Sequence, residues 1–172
     1  MQAHRAVALS VLVLCPVFSS SAPARAETPV ERGRYLVQFG GCNDCHSPGY
    51  FFGKTTPETY LSGSDVGFQM PQGTFVGPNL TPDKTGLGDW SEEQIVKALQ
   101  TGERPDGRIL APIMPWHALA KLTAEDVGAI AKFLKSLPPV ENKVPGPLGP
   151  GEKPAFPVMT IIFPEGSAPA AK

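Results

Sequence analysis

Three stretches of this chain keep a helical period, and the long stretches between them keep none. Residues 28–41 open with Thr28 as a cap and Pro29 at the first helical position, and Tyr35, Leu36 and Phe39 share an apolar face. Gly33, which has no side chain, leaves room there for another helix to cross closely. Residues 91–101 start with Ser91, whose capping box is completed by Gln94, and stop at Gly102. Ile95, Val96, Ala98 and Leu99 form their core face. Residues 123–137 hold a period of about 3.6 residues through Val127, Ile130, Ala131, Leu134 and Leu137. Thr123 is the cap, Asp126 gives a short version of the capping box, and Leu122 with Val127 makes a hydrophobic staple. Gly128 in that helix costs roughly 1 kcal/mol, which points to close packing at this position. Lys132 and Lys135 near its end suit the helix dipole.

The intervening segments are loops. Residues 47–89 are punctuated throughout by Gly and Pro. A loop of that length in a compact domain needs something to wrap. Phe51, Phe52, Tyr60, Leu61, Phe68, Phe75 and Leu80 are available to pack on it. Residues 103–122 make a second loop, in which Pro112 and Pro115 flank Met114 and predict an extended backbone. Residues 138–172 hold nine prolines, a density that no helix survives, so they read as an extended or disordered tail. Within that tail the apolar run from Pro157 to Phe163 is suited to one short strand, lying on the body or on a partner.

Composition narrows the picture. The chain has 172 residues, which suits one domain with extensions, and its 20 Pro and 18 Gly predict modest regular structure. A net charge of −1 with no basic run argues against nucleic acid as a partner. Residues 1–26 read as a secretory signal: Arg5 is the positive region, Ala6–Phe18 the apolar region, and Ala24-Arg25-Ala26 the cleavage site. The apolar run is short for a membrane span. Cleavage before Glu27 removes Cys15 and two arginines, and leaves two of the three cysteines.

Those two stand in Cys42-Asn43-Asp44-Cys45-His46. C-x-x-C followed directly by His is the attachment signature of a c-type haem. Thiols one helical turn apart can each form a thioether to a haem vinyl group, and His46 then faces the iron. A thioredoxin-like pair would need a surrounding βαβ pattern and a zinc site would need further cysteines; a structural disulfide in an exported protein is the other reading. A haem also supplies the core that the loops lack. In Gly77-Pro78-Asn79-Leu80, Pro78 offers a carbonyl and no competing N–H, which suits a partner for the second ring nitrogen of His46; an ordinary Gly-Pro turn is the other reading. Met114 is the preferred sixth ligand, because a soft thioether suits low-spin haem iron. Met70, His117 and Met159 are its rivals.

The order helix, C-x-x-C-H, Gly-Pro-Asn-Leu, helix, Met-Pro, helix resembles the class I cytochromes c over about residues 28–138. Within that class, Pro78–Asp83, Thr85–Ser91, Met114-Pro115-Trp116 and Leu122–Ile130 resemble the cytochrome c subunits of bacterial periplasmic dehydrogenases. The resemblance implies an all-α cytochrome c fold at residues 27–138, with few short helices and long loops around one haem, and a Pro-rich tail at 139–172. It implies Cys42 and Cys45 as thioether sites, His46 and Met114 as iron ligands, Pro78 as the carbonyl partner of His46, and a helix crossing near Gly33. The expected protein is a periplasmic single-haem electron carrier and not an enzyme. A periplasmic dehydrogenase is the expected donor and another cytochrome or an oxidase the acceptor, with no membrane span in the mature chain. Two alternatives are a permanently bound dehydrogenase subunit and, if no sixth ligand binds, a haem enzyme or gas sensor. Many relatives carry three such modules and a membrane-binding tail, whereas this chain has one C-x-x-C-H.

Overall fold

The computed structural model describes residues 25–162 and 164. The signal reading of residues 1–26 therefore lies almost wholly outside the described residues, as does the tail beyond residue 164. Among the described residues five α-helices form: α1 (Pro29–Phe39), α2 (Cys42–His46), α3 (Glu92–Thr101), α4 (Trp116–Leu119) and α5 (Ala124–Ser136). Their ends follow local chemistry. Thr28 and Glu31 make a reciprocal capping box on α1, and Ser91 and Gln94 make the one expected on α3. α3 stops where Gly102 turns left-handed at φ 74°. On α5 the Thr123 side chain accepts from the Asp126 N–H at 3.1 Å. The Asp126 carboxylate does not close the box on the Thr123 backbone N–H; it accepts from the Arg32 guanidinium of α1 at 2.8 and 3.3 Å.

α1 packs most extensively against α5, and Gly33 is the reason the two helices come so close. A Cβ at position 33 would stand 2.0 Å from the Ala129 carbonyl oxygen. The predicted crossing at Gly33 is thus present. Gly128 is a correction: a Cβ there would meet nothing within 4 Å, so close packing is not what places it in α5. Val37, Leu61, Leu87, Ile95, Ile130, Ala131, Phe133 and Leu134 form one buried cluster joining α1, α3 and α5 with the loops at Leu61 and Leu87. Burying each large aliphatic side chain stabilises the fold by about 1.5–3 kcal/mol.

The all-α expectation is met by the helices but omits a small sheet. β1 (Gly67–Met70) and β2 (Gly73–Val76) form an antiparallel hairpin across Pro71-Gln72, pairing Phe68 with Phe75 and Met70 with Gly73. β3 (Val158–Thr160) lies parallel to β1, so the strand order is β2-β1-β3. The strand foreseen in Pro157–Phe163 is therefore real, and it lies on the body. Residues 138–157 run to it without helix, held by bonds to the body such as Thr74 N–H to Leu148 O at 3.0 Å and its reciprocal at 2.9 Å.

Candidate functional site

Gly41 enters α2 in the left-handed region at φ 64°, and the next five residues make a single helical turn. Cys42, Cys45 and His46 ride on it, with the two thiols free of any disulfide. Three residues apart, the cysteines are neighbours on one helix face. Burial pushes the Cys42 thiol up to about 11, and burial also raises Cys45, so both stand as thiols at neutral pH.

His46 is 6% exposed. Its Nδ1 lies 2.8 Å from the Pro78 carbonyl oxygen. A carbonyl only accepts, so Nδ1 carries the proton and Nε2 holds the lone pair. Nε2 makes no hydrogen bond to any described residue, and Tyr60 Oη is the sole sealed side-chain polar atom without a partner among them. Nε2 therefore opens onto space outside the packed core. Burial pulls the His46 imidazole below its ordinary value, against the opposing pull of the Pro78 bond, and keeps it in the neutral form that a metal requires. Two free thiols and a neutral, open nitrogen on one turn fit a covalently held haem. Among the described residues no group of three or more His, Cys, Asp or Glu is arranged to hold a metal ion by itself.

Neighbouring loops fix this turn. A Cβ on Gly77 would stand 1.7 Å from the Cys45 carbonyl oxygen, so only glycine lets the Pro78 loop lie against α2. The Gly63 N–H donates to the His46 carbonyl at 2.7 Å. Ser47 Oγ accepts from the Leu61 N–H at 2.7 Å and donates to Asn43 Oδ1. Asn79 is fully buried: its Oδ1 accepts from the Thr81 N–H and hydroxyl, and its Nδ2 donates to Thr85 Oγ1 and the Val140 carbonyl. In the Gly77-Pro78-Asn79-Leu80 stretch Pro78 alone had a role legible in the sequence, and Ser47 was not singled out, because a Gly, Asn or Ser beside a turn residue reads as turn chemistry.

The structure brings His46 and Pro78 together, with Cys42 and Cys45 on the same turn as His46. Met114 is half-buried on a turn of its own. Its backbone is not extended as predicted: the Met114 N–H donates to Ala111 O at 2.9 Å, closing a β-turn with Pro112 at the second position. Among the rivals, Met70 ends β1 and Met159 lies exposed in β3. His117 is exposed on α4, its ring centroid 3.4 Å from that of Trp116.

A few short helices and long loops around a C-x-x-C-H turn, with its histidine braced by a proline carbonyl, define a c-type cytochrome domain. Residues 30–138 match the cytochrome c family, and the chain belongs to it. Among curated proteins it is similar to the fructose dehydrogenase cytochrome subunit of Gluconobacter japonicus, at 36% identity over 72% of this chain and 24% of that protein. It is similar also to the gluconate 2-dehydrogenase cytochrome c subunit of Pantoea cypripedii, at 35% over 69% of this chain and 27% of that one. The alcohol dehydrogenase (quinone) cytochrome c subunit of Gluconobacter oxydans is 32% identical over 69% of this chain and 24% of its own length. The chain spans about a quarter of the length of these relatives. Among the described residues no helix is long and apolar enough to cross a membrane.

Proposed function

We propose that this chain is an exported, single-haem electron carrier. Cys42 and Cys45 hold the haem, His46 Nε2 is the proximal iron ligand, and Met114 is the distal one. When bound, haem c supplies a one-electron Fe(III)/Fe(II) couple. The residues of the chain set the conditions for it. Pro78 fixes the tautomer of His46 and strengthens the lone pair on Nε2. Met114, a neutral thioether, favours the reduced state. Held by both His46 and Met114, a bound haem would serve electron transfer, so the chain would carry electrons and do no substrate chemistry. A periplasmic dehydrogenase is the donor and another cytochrome or an oxidase the acceptor; the names of the relatives support the donor.

The observation that carries this reading is the 2.8 Å contact between His46 Nδ1 and the Pro78 carbonyl, on the same turn as two free thiols. The test is the protein recovered from the periplasm of an expressing bacterium. Its intact mass should equal residues 27–172 plus one haem, and its reduced-minus-oxidised spectrum should be that of a low-spin c-type haem. A folded, haem-free mature protein would overturn the reading.

A further inference from the structure

Asn142 lies beyond the family match at residues 30–138, yet it joins the two loops that hold His46. Its backbone N–H donates to Thr85 Oγ1 at 3.0 Å, and its side-chain Nδ2 donates to the Ser62 carbonyl at 2.9 Å. Each of those bonds leads to His46 in two steps. Ser62 precedes Gly63, whose N–H holds the His46 carbonyl at 2.7 Å. Thr85 Oγ1 also accepts from Asn79 Nδ2 at 3.0 Å, and Asn79 follows Pro78, whose carbonyl holds the His46 ring. The two loops are bonded to each other as well, Leu80 N–H to Leu61 O at 2.8 Å. One side of the network therefore grips the backbone of His46 and the other grips its ring, and Asn142 spans both. The strap is seated closely. Gly63 sits at φ 105°, and a Cβ there would come within 2.4 Å of Val144 Cγ1 and 3.5 Å of Asn142 Nδ2.

We propose that Asn142 is a positioning residue for His46. It holds the Pro78 carbonyl in line with the Nδ1–H, and through that bond it tunes the reduction potential of the bound haem. The proposal rests on the reading of His46 as proximal ligand. A well-aligned Nδ1–H to carbonyl bond makes the imidazole a stronger donor, which favours Fe(III). Loosening the carbonyl weakens that donation and raises the potential.

The test compares the full-length haem-loaded parent with N142A, T85V and D126N. N142A removes the side-chain bond to the Ser62 carbonyl and keeps the backbone N–H, whereas T85V, with little change in shape, removes the acceptor shared by the Asn142 N–H and Asn79 Nδ2. D126N breaks an ion pair at the α1–α5 crossing and touches neither loop. Two quantities are read: the midpoint potential, and the exchange rate of the His46 Nδ1 proton by 15N-histidine NMR of the reduced protein. N142A and T85V should raise the potential and speed that exchange about tenfold, as loss of one supporting hydrogen bond allows. D126N should lower the melting temperature and leave both quantities at the parent's values. If N142A fails to accumulate, N142D decides in its place, because it keeps the shape of the side chain and loses the Nδ2 donor to Ser62. Melting temperatures that fall in N142A and T85V without any change in potential or exchange would overturn the proposal and leave the electron-carrier reading intact. A parent that carries no haem would overturn both.

Discussion

One proton sets what His46 is able to do. The Pro78 carbonyl holds that proton on Nδ1, and Nε2 is left as the donor atom. On the proposed reading, a second side chain would hold the haem iron together with His46. Met114 lies on the Ala111–Met114 turn, with Ile113 beside it 42% exposed, so the turn is an apolar surface loop that carries a soft donor. Met114→Ala is expected to abolish the weak sulfur-to-iron band of the oxidised protein and to admit carbon monoxide and cyanide. Met70→Ala and His117→Ala should leave that band alone, Met70 being paired in the hairpin and His117 packed on Trp116. Loss of the band in Met70→Ala with its survival in Met114→Ala would reassign the ligand. The contact of His46 with the Pro78 carbonyl, and the placing of Cys42, Cys45 and His46 on one turn, were legible in the sequence, because a short motif and a rigid carbonyl are local features. Lys135 was legible only as a helix-end cation. Its three donors meet the Leu87, Gly88 and Trp90 carbonyls, each at 3.0 Å, and that convergence depends on a loop more than forty residues away.

Among elements, the α1–α5 crossing supplies the sharpest contrasts. Gly33→Ala has no room beside the Ala129 carbonyl and should destabilise the protein by about 1–3 kcal/mol, the usual penalty of overpacking. Gly128→Ala, in open space on the same helix pair, should stabilise it by about 0.4–1 kcal/mol. Denaturant midpoints of the two variants check both, and equal effects would remove the crossing as the cause. The crossing also responds to acid. The hydrogen bond from Arg32 holds the Asp126 carboxyl below its ordinary value, so its contribution is complete above the ordinary carboxylate range. That contribution fades as pH falls through the depressed value. The melting temperature of the parent should therefore exceed that of Asp126→Asn at neutral pH and approach it only as pH falls below the ordinary carboxylate range. A gap that is constant with pH would rule this out. All three long helices were legible because caps and apolar period are properties of adjacent residues. The sheet was not. Gly67–Val76 is broken by Gly and Pro into what reads as loop, and β3 joins β1 from about ninety residues further along the chain.

At the scale of the whole molecule, the helices and the loops do not depend on the same partners. α1, α3 and α5 bury a shared cluster from Val37 to Leu134 that is closed by side chains alone. Residues 103–115 have no such backing: Ile109 is 62% exposed, and one short antiparallel bridge, Glu103 with Ile109, is their regular pairing. On the proposed reading this loop closes over the haem, and its stability derives from that contact. Loss of the haem should then act unevenly. A ligand bound by the native state alone stabilises every segment whose opening releases it, and the segments with few other contacts lose most without it. In Cys42→Ala/Cys45→Ala, which cannot attach haem, slow amide exchange should persist in α1, α3 and α5 and vanish from residues 103–115, and cooperative melting should give way to a broad, molten transition. Hydrogen exchange followed by mass spectrometry, compared with the haem-loaded parent, reads each segment separately. Protection of residues 103–115 equal to the parent's would mean that this loop is held by the protein alone. Its apolar side chains would then need a partner other than the haem.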